Sequence, residues 1–246
     1  MSSTVTRETL IRDLQSLGVH PGLTLMVHAS LRRLGPVEGG ADAALDALFS
    51  VVGPTGTVLM LLAADDRVPF DSLASPADPD VGVLAERFRT RAGTRVNDHA
   101  AARFGASGPG ASGLLEPAPL HDYYGPGSVL ERFVDADGQV LRLGADPDTV
   151  TLTHWAEYRA DIPGKRRARR RYVHAELGEQ WIEGLDDTDG IREWSGGDYF
   201  PQILLDFLAQ GHARTGTVGH CTAELFSARA FTRYATGWIE THLAAP

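Results

Sequence analysis

The first quarter of the chain alternates helical segments with short apolar runs, and this pattern restricts the fold more than any other feature. Apolar residues at positions 10, 11, 14 and 17 follow helical spacing, and Gly18 ends that stripe. The apolar run 23–28 predicts a strand, 39–52 predicts a second helix, and 57–62 predicts a buried strand. The alternation therefore predicts an α/β fold.

A later strand-to-helix segment carries candidate chemistry. The apolar run 139–144 is followed by a turn at 145–148, and residues 151–157 are predicted to begin a helix. His154 would then stand beyond the carboxyl end of a strand, where open α/β sheets usually bind ligands. Glu157 follows three positions later on the same helical face. The pair could be a general base and its orienting carboxylate, although helical His and Glu are also common on hydrated surfaces.

Composition and charge exclude several classes of protein. The 246 residues are 43% hydrophobic, enough for one large domain or two small ones with a core. Asp and Glu outnumber Lys and Arg by 32 to 23, which disfavours nucleic acid or a membrane as partner and favours a cationic ligand. Cys221 is the single cysteine, which excludes an internal disulfide and a multi-cysteine zinc site. We expect a cytoplasmic protein without a signal peptide, a membrane span or a metal.

Two charged segments follow the central helix. Residues 165–171 contain six basic residues in seven, and such a run is more typical of a solvated face than of a polyphosphate site. Residues 176–193 are acidic. Clustered carboxylates could attract a polycation, or they could cap turns. The candidates are Asp65, Asp66, Asp186, Asp187 and Asp189.

Two common catalytic motifs do not occur in the sequence. There is no Gly-x-Ser-x-Gly elbow, which disfavours a serine hydrolase of that type. There is no Gly-x-x-x-x-Gly-Lys-Ser/Thr loop, which disfavours a nucleoside triphosphatase.

The remaining elements are predicted from spacing and turn residues. Residues 82–90, 199–210 and 228–243 favour helices. Ser128 begins a further helix, with Glu131 placed as in a capping box, and the amides at its start could hold a phosphate or a carbonyl. Irregular loops are predicted at 67–79, 104–113, 117–127 and 211–219.

Three ordered blocks of the sequence become recognisable as a set. They are 27–35 (VHASLRRLG), 137–144 (DGQVLRLG) and 151–157 (TLTHWAE), and shorter matches extend to residue 242. In order and spacing they resemble the aminoglycoside 3-N-acetyltransferase family. That family uses acetyl-coenzyme A to acetylate the 3-amine of the 2-deoxystreptamine ring of aminoglycosides, which gives antibiotic resistance. The resemblance implies one compact α/β domain over 1–246, with a central mixed sheet flanked by helices, distinct from the common N-acetyltransferase fold.

The resemblance also implies roles for particular residues. His154 is expected to be the general base and Thr151 the hydroxyl near the thioester carbonyl. Glu157, Asp186 and Asp187 compete for the role of orienting His154. Coenzyme A is expected to bind Ser30, Leu31, Arg32, Arg33 and Ser128. The cationic drug is expected to bind Asp65, Asp66, Asp186, Asp187 and Glu224.

The residue types suit direct acetyl transfer, because an imidazole with a pKa near ~6.5 can take a proton from an ammonium group at neutral pH. Neither a covalent enzyme intermediate nor a metal is required.

Two alternatives stay open. Residues 63–66 depart from the family's substrate rim, which favours a different amine as acceptor. The acidic composition also suits a non-enzymatic protein that sequesters cationic drugs. The chain is expected to be a monomer or a homodimer.

Overall fold

The alternation predicted for the start of the chain is present in the structure. The computed structural model describes residues 3–65 and 67–244. Its first elements are helix α1 (Arg7–Leu17), strand β1 (Thr24–Ala29), the short helix α2 (Leu31–Leu34), helix α3 (Gly40–Val52) and strand β2 (Thr57–Leu61).

The later elements include the predicted strand, turn and helix around residue 150. The strands are β3 (Arg95–Val96), β4 (Phe104–Ser107), β5 (Gln139–Leu143), β6 (Arg167–His174), β7 (Gly178–Leu185), β8 (Arg214–Val218) and β9 (Cys221–Ser227). The helices are α4 (Val83–Arg89), α5 (Ala111–Leu114), α6 (Val129–Asp135), α7 (Leu152–Arg159), α8 (Tyr199–Ala209) and α9 (Ala228–His242).

Seven strands form one mixed sheet in the order β3-β4-β2-β1-β5-β9-β8. Strand β1 is parallel to both β2 and β5, and the other pairs are antiparallel. Strand β2 lies on one side of β1 in the sheet, and β5 lies on the other side. The carboxyl ends of three parallel strands thus meet at one edge of the sheet, where such folds bind ligands. The predicted mixed α/β sheet is confirmed.

Alternate residues of the central strands face two separate apolar layers, as the period of two along a strand requires. Leu25 packs in a layer with α1 and α3, whereas its neighbour Met26 packs in the layer that holds α6, α7, α8 and α9. Both side chains are fully buried. Burying both faces makes the central strands largely apolar, which is why the sequence pattern for them was clear.

The basic run and part of the acidic segment form a separate two-stranded hairpin, β6–β7. Arg167 pairs with Glu183 at 2.8 Å and Arg171 pairs with Glu179 at 2.9 Å across the two strands. The Arg169 guanidinium lies 4.9 Å from the centroid of the Trp181 ring. These three arginines are exposed, as expected for a solvated face.

Two of the predicted loops contain regular structure. Residues 104–113 hold β4 and α5, and residues 211–219 hold β8, so both loop predictions were wrong. The strands form through pairing with distant partners, β4 with β2 and β8 with β9, which outweighs the turn preference of glycine. At Gly105 a Cβ atom would stand 3.2 Å from the side chains of Leu62 and Phe88, so glycine allows close packing there.

No helix within residues 3–65 and 67–244 is both long and apolar enough to cross a lipid bilayer. The same residues contain no group of three or more His, Cys, Asp or Glu arranged to hold a metal ion.

Candidate active site

His154 lies in the first turn of α7 and contacts a buried carboxylate. Its Nδ1 stands 2.9 Å from Oε2 of Glu157, which is only 1% exposed. Because a carboxylate only accepts hydrogen bonds, Nδ1 must carry the hydrogen and donate it. The other carboxylate oxygen, Oε1, accepts the hydroxyl hydrogen of Tyr199. The helical spacing of His154 and Glu157 therefore brings the two side chains together, and Tyr199 of α8 holds the carboxylate by a hydrogen bond.

Two aromatic rings enclose the imidazole. The Tyr124 ring stacks on it at 4.8 Å between centroids with an interplanar angle of 5°, and the Phe200 ring lies 4.9 Å away. The His154 side chain is 14% exposed, and Nε2 forms no hydrogen bond with any described residue. The ring is thus fixed in orientation while its second nitrogen is available as a proton acceptor.

The surroundings of His154 act on its basicity in opposite directions. Burial lowers the pKa of the imidazole, but the hydrogen bond to Glu157 and the negative charges of Glu157 and Asp187 outweigh it. The pKa of His154 is therefore raised above its ordinary value of 6.5. An imidazole of this kind is a stronger base than one in water.

A cavity of about 620 Å³ lies at the carboxyl ends of β1, β2 and β5. Its inner wall is apolar and includes Val27, Met60 and Leu84. Thr151 and His154 line it from the start of α7. Three of the residues predicted to bind coenzyme A also line this cavity: Ser30, Leu31 and Arg32.

The other two residues predicted to bind coenzyme A lie elsewhere. Arg33 donates to the carbonyl of Gly144 at 2.8 Å and pairs with Asp146 at 2.6 Å, and it lines a different cavity. Ser128 is fully buried, and its hydroxyl accepts the amide hydrogen of Glu131 at 3.2 Å. Its role in the structure is to cap α6, because the hydroxyl satisfies an amide in the first turn of that helix.

His154 also lines a second cavity, of about 630 Å³. Carboxylates outnumber the basic groups Arg166 and Arg192 in its lining, and Trp194 adds an aromatic wall. An acidic, partly aromatic cavity suits a ligand that carries several positive charges. The carboxylates are Asp148, Asp187, Asp189, Glu193 and Asp198.

Among the three carboxylates that compete to orient His154, Glu157 makes the contact. Asp187 accepts the Tyr123 hydroxyl at 2.7 Å and pairs with Arg170, and it lines the acidic cavity. Asp186 accepts the amides of residues 188 and 189 at 3.1 Å each, as a turn-capping aspartate does. Asp187 therefore acts on His154 through its charge, whereas Glu157 acts through a hydrogen bond.

Two further acidic candidates, Asp65 and Glu224, do not line the acidic cavity. Asp65 pairs with Arg67 at 2.7 Å and lines a third cavity, of about 410 Å³, which shares Asp187 with the second one. Asp66 lies outside the described residues. Glu224 pairs with Arg142 at 3.0 Å and lines the same cavity as Arg33, so the structure separates it from the acidic cavity.

Four aromatic residues that enclose His154 or line the acidic cavity had no predicted role. Tyr124 lies in a segment predicted only to be irregular, and Tyr199 and Phe200 begin a helix whose apolar spacing indicated a core. Trp194 lies in the loop before that helix. For Tyr124 and Trp194 the only signal in the sequence was an aromatic residue within a segment otherwise rich in turn residues.

Comparisons with known proteins identify the relatives of this chain. Residues 26–240 match the family model described as aminoglycoside 3-N-acetyltransferase. The chain is 37% identical to aminoglycoside N(3)-acetyltransferase III of Serratia marcescens, over 98% of the chain and 99% of that relative. It is 35% identical to aminoglycoside N(3)-acetyltransferase VIII of Streptomyces fradiae, over 97% of the chain and 93% of that relative.

Solved structures superpose over nearly the whole chain. AAC-IIIb in a binary complex with CoASH has a TM-score of 0.93 and 38% identity, and the match covers 99% of this chain and 100% of that one. AAC-VIa bound to sisomicin has a TM-score of 0.91 and 33% identity, and the match covers 98% of this chain and 100% of that one.

Proposed function

The chain belongs to the aminoglycoside 3-N-acetyltransferase family of acyltransferases, and we propose that it acetylates the 3-amine of the 2-deoxystreptamine ring of aminoglycoside antibiotics, conferring resistance. Acetyl-coenzyme A is the acetyl donor. The neutral amine attacks the thioester carbonyl directly in a ternary complex, the carbon–sulfur bond breaks, and coenzyme A leaves as its free thiol. His154 is the general base that accepts the proton lost by the amine.

The observation that carries this proposal is the position of His154 between two cavities of different chemistry. One cavity is lined by three of the five residues predicted to bind coenzyme A, and the other is lined by five carboxylates. Three residues line both cavities: Asp148, His154 and Phe200. A donor and an acceptor bound in neighbouring cavities would therefore meet beside the imidazole, so that the reaction becomes effectively unimolecular.

His154 and Glu157 supply the proton transfer. The amine nitrogen can attack only after losing a proton, and Nε2 of His154 accepts it while Nδ1 keeps its hydrogen bond to Glu157. The imidazolium that forms is stabilised by the buried carboxylate beside it. Tyr199 holds that carboxylate in place, because burial raises the pKa of its hydroxyl and keeps it a donor.

Thr151 is proposed to stabilise the oxyanion that forms when the thioester carbonyl is attacked. It lies one residue before α7 and lines the same cavity as His154. Its side chain makes no capping hydrogen bond to the helix, so the hydroxyl is available to a ligand. A donor placed in advance where negative charge develops is an effective source of rate enhancement.

Ser30, Leu31 and Arg32 are proposed to bind coenzyme A. The cavity they line has an apolar inner wall that suits the hydrocarbon part of the pantetheine arm, and Arg32 supplies a positive charge for a phosphate. The drug is proposed to occupy the acidic cavity, with Asp187 as its main carboxylate contact. Asp65 is proposed to extend this surface.

The activity is tested by mixing the protein with acetyl-coenzyme A and a panel of 2-deoxystreptamine aminoglycosides and following release of the free thiol. We expect rapid release with at least one member, with mass spectrometry placing the acetyl group on the 3-amine. No release with any member, while another amine is acetylated, would favour a different acceptor. Drug binding that is indifferent to coenzyme A, without thiol release, would favour a sequestering protein.

Asp187→Asn should raise the KM for an accepted aminoglycoside by about tenfold, since a charged hydrogen-bonding partner typically contributes about 1.5–3 kcal/mol. The KM for acetyl-coenzyme A should stay within about twofold. Glu224→Gln is the matched control, because that carboxylate lies in another cavity. It should leave the drug KM unchanged but lower thermal stability, since Arg142 loses its buried partner. Equal drug KM values for the two variants would contradict the proposed drug site.

The raised pKa of His154 predicts opposite pH dependences for activity and stability. Activity needs the neutral imidazole, so kcat/KM should fall on acidification with an inflection above pH 6.5. Stability has the opposite pH dependence. The contribution of His154 to the free energy of unfolding is fully present below the pKa that this residue has in the unfolded chain. It is lost as pH rises through the raised pKa of the folded state. NMR titration of the His154 ring and thermal melts from pH 5 to 9 measure both, and an inflection below 6.5 would contradict the assignment.

We also propose that residues 1–246 act as one domain, as a monomer or a homodimer, in the cytoplasm. The single-domain proposal is supported by one apolar cluster that includes Trp155 of α7, Ile182 of the hairpin and Trp238 of α9. The compartment follows from acetyl-coenzyme A as donor and from the single cysteine, Cys221, which is free.

A further inference from the structure

His28 is a buried imidazole in the cavity proposed for coenzyme A, and the proposed reaction gives it no role. It lies on β1 next to the carboxyl end of the strand, in register with Arg142 of β5. The residue is 9% exposed. It lines the same cavity as Thr151 and His154. The His28 ring is thus a polar group in a cavity wall that is otherwise largely apolar along β1 and β2.

The ring nitrogen Nε2 of His28 is enclosed and has no hydrogen-bond partner among the described residues. The other buried histidines are partnered. His99 lies 3.0 Å from the carbonyl of Pro119, and His174 lies 3.0 Å from a carboxylate oxygen of Asp98. Seven buried side-chain atoms have no hydrogen-bond partner among the described residues, and His28 is the only one of their residues that lines this cavity. A buried polar atom without a partner is uncommon, so its place in the cavity points to a bound ligand.

The chemistry of that partner follows from the charge state of the ring. Burial and the positive charge of Arg142 lower the pKa of His28 to about 3, so the ring is neutral at physiological pH. A neutral imidazole has one N–H donor and one acceptor nitrogen, and rotation about the Cβ–Cγ bond presents either edge. A secondary amide offers the complementary N–H and C=O groups. A phosphate would instead require a cation, which Arg32 supplies in the same cavity.

We propose that His28 binds the pantetheine arm of acetyl-coenzyme A through a hydrogen bond to one of its amide groups. This inference rests on the proposed coenzyme A site. The bond fixes the arm along the wall formed by β1 and directs the thioester toward Thr151 and His154. His28 is then a binding residue for the neutral part of the co-substrate, separate from the residues that bind its phosphates.

The test compares two ligands with three forms of the protein. Coenzyme A contains the pantetheine arm, whereas adenosine 3′,5′-bisphosphate contains only the nucleotide end. His28→Leu should weaken coenzyme A binding about fivefold to tenfold and change bisphosphate binding by less than about twofold, as measured by calorimetry. His28→Gln, which keeps a donor and an acceptor, should retain most of the coenzyme A affinity. The melting temperature of ligand-free His28→Leu should not fall, because the substitution removes an unsatisfied buried group.

Three outcomes would overturn the inference. Equal weakening of both ligands together with a lower melting temperature would show a structural role for His28. Unchanged coenzyme A affinity in His28→Leu would show that the ring does not contact the arm. Failure of the unaltered protein to bind coenzyme A would overturn the proposed function as well, so the two failures are distinguishable.

Discussion

Replacing His154 by asparagine should lower kcat/KM for an accepted aminoglycoside by about a thousandfold, because a positioned general base contributes roughly 10²–10⁴ to the rate. The loss should appear in kcat. Affinity for coenzyme A should stay within about twofold, since the imidazole is proposed to contact the reacting end of the donor and not its nucleotide.

Asparagine is the informative replacement because it keeps the local hydrogen bond. Its amide nitrogen can occupy the position of Nδ1 and still donate to Glu157, which would otherwise be left buried without that partner. No atom of the amide can take up the proton of the amine as the imidazole does. His154→Ala serves as a second variant, in which the space between Tyr124 and Phe200 is also emptied.

Thiol release under single-turnover conditions and calorimetry with coenzyme A measure the two quantities separately. Turnover that is unchanged in both variants would refute His154 as the base. A parallel loss of coenzyme A affinity and kcat would instead indicate that the imidazole mainly shapes the donor cavity.

The sequence predicted helix α7 well because every signal for it is local. An apolar strand, a turn rich in Asp and Pro and a helix start follow one another within about twenty residues. The three-residue separation of His154 and Glu157 placed them on one helical face, and they lie 2.9 Å apart. The strand and helix preceding β2 were predictable for the same reason.

The enclosure of the imidazole was not predictable because it depends on distant parts of the chain. Tyr124 comes thirty positions before His154 and Phe200 forty-six positions after it, and no local spacing relates them. The glycine-rich strand β4 was missed for a related reason, since it exists through its pairing with β2. Local patterns report the period of a segment, whereas these features depend on tertiary contacts.

Charge patterns were only partly informative about the site. The basic run was expected to be a separate solvated face, and three of its arginines are exposed. Arg170, on the alternate side of the same strand, pairs with Asp187 and so lies beside the acidic cavity. The acidic cavity thus combines carboxylates with a neighbouring cation that fixes one of them, an arrangement that a count of acidic residues does not show.

Replacing Glu157 by glutamine should lower kcat by about a hundredfold, although the substitution keeps the size of the side chain. The reason is the orientation that Tyr199 imposes. Its hydroxyl oxygen accepts the amide hydrogen of Ile191 at 2.8 Å, so its own hydrogen is directed to Oε1 of Glu157. In Glu157→Gln the amide oxygen would occupy that position, and the amide NH₂ group would face Nδ1 of His154.

Nδ1 would then have to accept a hydrogen bond, which moves the imidazole hydrogen to Nε2 and removes the lone pair that the amine needs. An amide in place of an orienting carboxylate causes this tautomer error in other catalytic pairs, with losses up to about 10⁴ in kcat. The variant should also show a lower pKa for His154, because the hydrogen bond to Glu157 and its charge both raise that pKa. Stopped-flow thiol release and NMR of the imidazole nitrogens measure the two effects.

The double variant Glu157→Gln with Tyr199→Phe distinguishes a tautomer error from a general loss of structure. Without the Tyr199 hydroxyl the glutamine amide is free to rotate and present its oxygen to Nδ1, so part of the lost activity should return. Tyr199→Phe alone should lower kcat by less than about tenfold, because it removes one hydrogen bond to a carboxylate that stays in place. If the two losses instead multiply, the substitutions act independently, and the hydroxyl does not control which nitrogen of His154 carries the hydrogen.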